Sequence, residues 1–170
     1  ILSDELDRLI QIFIPSPNYI VDLNNLLQPE SVFGYILLII AIAIIAPIGE
    51  ELLFRGFLQQ FLEQHWKDIT RAILITSLFF SIIHMNPYWF IQIYILGIML
   101  GFLSWKTNSI FPPLILHALN NGTALLFSFI DPEKSSWYLW NNHVAPWILL
   151  LAIVLVYTGF VGLNKSKVLL

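Results

Sequence analysis

Residues 31–55 read SVFGYILLIIAIAIIAPIGEELLFR, and this stretch decides the fold. From Ser31 to Gly49 it carries no charge, and then Glu50, Glu51 and Arg55 follow within six positions. A charge deep in a bilayer costs about 2.5–3.5 kcal/mol on insertion scales, so such residues pair with one another and mark a function. The apolar run calls for a membrane helix. The charges at its end call for partners elsewhere in the chain.

Three further windows are free of Asp, Glu, Lys and Arg: Ala72 to Trp105, Thr107 to Ile130 and Val144 to Asn164. A helix needs about 20 residues to span the hydrocarbon, so all are of spanning length. The first is long enough for two short spans, with Met85-Asn86-Pro87 as the break, because Pro87 disfavours helical geometry at Asn86. Apolar residues make up 58% of the chain and charged residues 11%, whereas soluble domains hold about 25% charge. The segments are apolar nearly all round, which excludes a soluble bundle with polar faces. The expected fold is all-α: a polytopic transmembrane bundle of about five or six membrane helices with the active site buried within it.

Residues 1–30 read as an interfacial or loop segment. An acidic amphipathic opening (Asp4, Glu5, Asp7, Arg8) precedes Pro15-Ser16-Pro17 and a polar run to Pro29-Glu30. Residues 31–164 form one transmembrane domain and 165–170 a cytoplasmic tail. A long helical region runs from Ser31 to about Trp66, with Pro47 and Gly49 loosening it before the glutamates. The other spans are placed at 71–86, 88–105, 109–130 and 145–163. Ile1 is not an initiator methionine, which leaves room for residues upstream. If residues 32–64 cross once, Lys67, Arg71, Lys106, Lys165 and Lys167 share one side, opposite Arg8 and Lys134. That bias favours a cytoplasmic C-terminus, and the expected location is the cell membrane. The absence of cysteine removes disulfides and thiolate chemistry, and a net charge of −3 argues against nucleic-acid binding.

Glu51 and Arg55 are four apart on a helix and share a face, so they pair as a buried strut. Glu50 is rotated about 100° from Glu51 and faces another neighbour. At 1.5 Å per residue, Glu50, His84 and Asn121 come out at about 18–21 Å from the cytoplasmic ends of their spans, and His117 at about 12 Å. Polar groups from three helices can then share one cavity. A carboxylate beside an imidazole can hold and deprotonate a water. A second imidazole with a side-chain amide can donate to the oxyanion of a tetrahedral intermediate. His65 and His143 read as interfacial, Gly97 and Gly101 as a close-packing pair, and the Trp and Tyr residues near span ends as interfacial anchors.

Three motifs carry a resemblance. Glu50-Glu51-Leu52-Leu53-Phe54-Arg55 fits EExxxR, Phe80 to His84 fits FxxxH, and His117 to Asn121 fits HxxxN. In this order they resemble the CAAX protease and bacteriocin-processing (CPBP) family, also called the type II CAAX prenyl endopeptidase or Abi family. The resemblance implies an intramembrane glutamic protease needing no cofactor. Glu50 would be catalytic with His84 as its partner, His117 and Asn121 would form the oxyanion site, and Glu51 and Arg55 would support the helix. Expected partners are a protein or peptide substrate, prenylated or not, and the lipid bilayer. Two alternatives stand beside this: a zinc metalloprotease with Glu50, His84 and His117 as ligands, and a non-catalytic immunity or scaffold protein.

Overall fold

The computed structural model describes residues 1–15, 29–130 and 137–165. The chain divides into two compact units, Pro17–Phe129 and Ile1–Ser16 with Ile130–Leu170. The readings made for 16–28, for Asp131, Glu133 and Lys134, and for Lys167 and the rest of the tail beyond Lys165 lie outside the described residues.

Among the described residues, the first unit holds four helices: α2 (Val32–Trp66), α3 (Ile69–Ile83), α4 (Phe90–Thr107) and α5 (Phe111–Ser128). Each boundary has a local cause. Ser31 caps α2 by accepting from the Gly34 N–H, and Asp68 caps α3 by accepting from the Arg71 N–H. Lys67 and Asn108 close α2 and α4 in the left-handed region, with φ of 53° and 49°. Pro112 and Pro113 open α5 where no intrahelical N–H is needed. The break at Met85-Asn86-Pro87 is present, and Asn86 Oδ1 accepts from the N–H groups of Tyr88 and Trp89.

Helix α2 runs unbroken through Pro47 and Gly49, and the expected loosening takes a specific form. Two π-helical stretches, Ile40–Ile45 and Leu52–Gln59, flank the segment that carries the glutamates. Proline removes a hydrogen bond and crowds the carbonyl four residues back, here Ala43. Ala43 lies in the first π stretch, whose wider turn relieves that crowding. The second stretch turns Phe54, Arg55 and Gln59 inward, where all three are buried.

Burial is inverted relative to a soluble protein. Glu51, Arg55, Gln59, Thr76, Ser77, Ser81, Ser104 and His117 are buried, while many Ile, Leu and Phe side chains are exposed. An apolar solvent outside explains both halves of this pattern. Phe54, Phe80 and Leu100 form the core, with Leu58, Ile93, Leu96 and Leu116 packed on it. Helices α3 and α4 make the most extensive contact. It depends on Gly97, where an added Cβ would meet Ser77 Cβ at 3.0 Å and Ser77 Cα at 3.2 Å.

The second unit holds α1 (Leu2–Phe13), a short antiparallel hairpin of β1 (Leu139–Trp140) and β2 (His143–Val144), and α6 (Pro146–Lys165). Asn141 and Asn142 both take positive φ at the turn, as a two-residue hairpin of right-handed twist requires. His143 sits in β2 and bonds Glu5, while His65 stacks on Phe61 at the end of α2.

Among the described residues, three helices are long and apolar enough to cross a membrane: α2, α4 and α6. This is a helical membrane protein. Helix α3 is apolar but has 15 residues, about 22 Å of helix against about 30 Å of hydrocarbon. Helix α5 is long enough but is not among the three, because His117, Asn120 and Asn121 dilute its hydropathy. The helices that fall short are the two that bring the histidines.

Candidate active site

Four elements meet around Phe80, which is fully buried. Its ring lies edge-on to Phe54, His84 and His117, with centroids at 5.2, 4.9 and 5.5 Å. The Arg55 guanidinium carbon sits 4.5 Å from its centroid, a cation–π contact. Phe80 therefore spaces the polar groups and gives them an apolar wall.

Glu51 and Arg55 pair as their spacing predicts, with Arg55 Nη1 donating to Glu51 Oε1 at 2.8 Å and both side chains fully buried. Arg55 Nη2 donates to the Gly97 carbonyl at 2.9 Å. One turn along, Gln59 Nε2 donates to the Gly101 carbonyl at 3.0 Å. The two glycines thus do more than allow close packing. They expose two carbonyls on α4 that receive two donors from α2.

Glu51 also reaches α5. His117 Nδ1–H donates to Glu51 Oε1 at 2.8 Å. The sequence reading assigned Glu51 to its own helix and missed this bond between helices, for which i,i+4 spacing gives no signal. His84 lies at the C-terminal cap of α3, where its Nδ1–H donates back to the Phe80 carbonyl. Both imidazoles thus use Nδ1 as donor, which leaves Nε2 as the acceptor of the neutral ring.

Both Nε2 atoms face Glu50. Glu50 Oε2 lies 3.9 Å from His84 Nε2 and 3.7 Å from His117 Nε2. That oxygen is itself buried and has no hydrogen-bond partner. Side-chain exposure is graded across the cluster, at 30% for His84, 26% for Glu50 and 2% for His117. The cluster is closed towards Glu51 and Arg55 and open towards His84.

Asn121 lies one turn beyond His117. Its Nδ2 donates to the Ile42 carbonyl at 3.3 Å, in the first π stretch of α2, rather than to the Glu50 cluster. Gly122 lets α5 approach there, since its Cβ would be 3.6 Å from Ala43 Cβ. Among the described residues, no group of three or more His, Asp or Glu side chains is arranged to hold a metal ion.

The fold and these side chains define a helical membrane protein with a buried carboxylate–imidazole cluster. Residues 32–123, just over half of the chain and including all three motifs, match the family model described as "Type II CAAX prenyl endopeptidase Rce1-like", and the chain belongs to that family. No curated protein and no solved structure matches the chain.

Proposed function

We propose that the protein is an intramembrane endopeptidase that hydrolyses a peptide bond with a water activated by Glu50 and His84. The observation carrying this is the orphaned Glu50 Oε2, which faces the two acceptor nitrogens of His84 and His117 at 3.9 and 3.7 Å. With a neutral His84, Glu50 Oε2 and His84 Nε2 are both acceptors and neither can donate to the other. A water over them relieves this by donating, and its oxygen becomes the nucleophile.

In this reading the water oxygen attacks the scissile carbonyl while Glu50 takes a proton, with His84 Nε2 fixing the other O–H. The carbonyl oxygen becomes an oxyanion. His117 Nε2, when it bears a proton, and the second amide hydrogen of Asn121 donate to it. Glu51 behind His117 orients the ring and compensates the charge it then carries, as the carboxylate of a catalytic triad does. Glu50 returns its proton to the departing amine as the C–N bond breaks. Arg55 offsets the second buried carboxylate and fixes it to α4.

The family match supports a protein or peptide substrate, and this reading takes it to be a prenylated CAAX-type protein or peptide, or another membrane-associated polypeptide. Lys67, Arg71 and Lys106 in the first unit, and Lys165 at the end of α6, support a cytoplasmic location for these ends. The test is hydrolysis of a farnesylated CAAX peptide and its unprenylated counterpart by the protein in proteoliposomes, with and without phenanthroline. A zinc reading would draw on Glu50, His84 and His117, which suit zinc by residue type but are not arranged as a metal-holding group among the described residues. Cleavage that survives the chelator supports the water mechanism, and cleavage abolished by it and restored by zinc supports the metal.

A further inference from the structure

Helix α1 has two faces with different fates. Three of its charged side chains, Asp4, Glu5 and Arg8, bond to the segment 138–144 of its own unit while staying partly exposed. Glu5 accepts from His143 Nδ1–H and from the Val144 N–H, each at 2.8 Å. Asp4 accepts from the Tyr138 hydroxyl at 2.9 Å and from Arg8 at 3.2 Å, and Arg8 also donates to the Asn142 carbonyl. Asp7 accepts from Gln11. The opposite face carries Leu2, Leu9 and Phe13, which fall within about 40° of one another at 100° per residue. All three are exposed, Phe13 at 84%.

The hairpin that grips α1 runs directly into α6, which starts at Pro146 and is one of the three helices fit to span a membrane. Helix α1 packs against α6 as well as β2. Trp140 stacks on Trp147 at this end, with centroids 5.9 Å apart, and both are exposed. Exposed tryptophans at the end of a span mark the level of the headgroups. Helix α1 is therefore bound at the boundary end of a span, with Asp4, Glu5 and Arg8 turned to the hairpin and its apolar stripe turned away.

We propose that α1 is a bilayer-surface helix that lays Leu2, Leu9 and Phe13 into the boundary between headgroups and acyl chains. Helices that lie in this plane usually present Lys and Arg to anionic lipid. This one is acidic, so its attachment is apolar and does not depend on anionic headgroups. The hairpin provides what the missing basic face would: it keeps Asp4 and Glu5 from facing the lipid. This inference is independent of the chemistry assigned to Glu50.

The chain has no cysteine, so single cysteines can be labelled without background. Nitroxide labels at Leu2→Cys, Leu9→Cys, Phe13→Cys and Gln11→Cys are read in phosphatidylcholine vesicles, with and without phosphatidylglycerol. Relaxation by oxygen, which concentrates in the bilayer, is compared with relaxation by a water-soluble nickel chelate. The three stripe positions should favour oxygen and Gln11→Cys should favour nickel, equally in both lipids. Stripe labels as open to nickel as Gln11→Cys would overturn the proposal, as would labels shielded from both reagents, which would mean that protein or a second copy covers the stripe. Oxygen preference only in the anionic vesicles would refute the apolar mode of attachment.

Discussion

His117 donates to Glu51 across 2.8 Å, joining residues 66 apart in sequence through the same carboxylate oxygen that receives Arg55. Three side chains from two helices, tied to α4 through the Gly97 carbonyl, thus form one buried network behind the partly exposed Glu50 and His84. Two adjacent glutamates have separate tasks: one holds the frame and one faces the opening.

Removing the frame should cost stability. Glu51→Gln leaves Arg55 buried without its counter-ion, and breaking a buried pair costs about 3–5 kcal/mol. Unfolding in detergent micelles should show this loss in Glu51→Gln and a much smaller one in Glu50→Gln, whose carboxylate makes no contact closer than 3.7 Å with either histidine. Equal losses in the two variants would contradict the division of roles.

The two glycines of α4 should differ in tolerance. A Cβ at Gly97 meets the Ser77 Cα at 3.2 Å, backbone that cannot yield without moving α3, whereas at Gly101 it meets side chains alone, Gln59 Oε1 at 2.9 Å and Ile73 Cγ2 at 3.0 Å. Gly97→Ala should therefore cost about 1–3 kcal/mol, in the range of overpacking, and Gly101→Ala less. Unfolding midpoints of the two variants check the order.

Burial, opposed by the hydrogen bond from Gln11, pushes the Asp7 carboxyl above its ordinary value. The folded form then binds more protons than the unfolded form between the ordinary value, about 3.9, and the raised one. The stabilisation is present in full below that window and is lost as pH rises through it. Asp7→Asn should remove this slope and protect α1 from proteolysis at neutral pH. An unchanged pH dependence would contradict it.

The sequence made much of this legible, for identifiable reasons. Charge-free windows report helices, so the helices from Ser31 to Lys165 lie where they were placed, within a few residues. The spacing of Glu51 and Arg55 reports a pair on one helix, and that pair is present. Hydropathy is silent on pitch, so the π-helical stretches around Pro47 and Glu50 were not legible. Spacing along one helix is equally silent on the bond from His117 to Glu51 and on the central place of Phe80. The hairpin did have a signal, Asn141-Asn142 between Trp140 and His143, in a region otherwise treated as a loop. Crossing number is less clear from composition, since α3 and α5 give up length or hydropathy where they carry the histidines.

The most direct measurement compares wild type, Glu50→Gln and His84→Ala in proteoliposomes on the same farnesylated CAAX peptide, with folding checked by unfolding midpoint. The account predicts cleavage by wild type and a loss of at least about a hundredfold in each variant, the scale of general-base catalysis, without a matching loss of stability. Full cleavage by both variants, or none by folded wild type on either the farnesylated or the unprenylated peptide, would contradict it and favour a non-catalytic membrane protein.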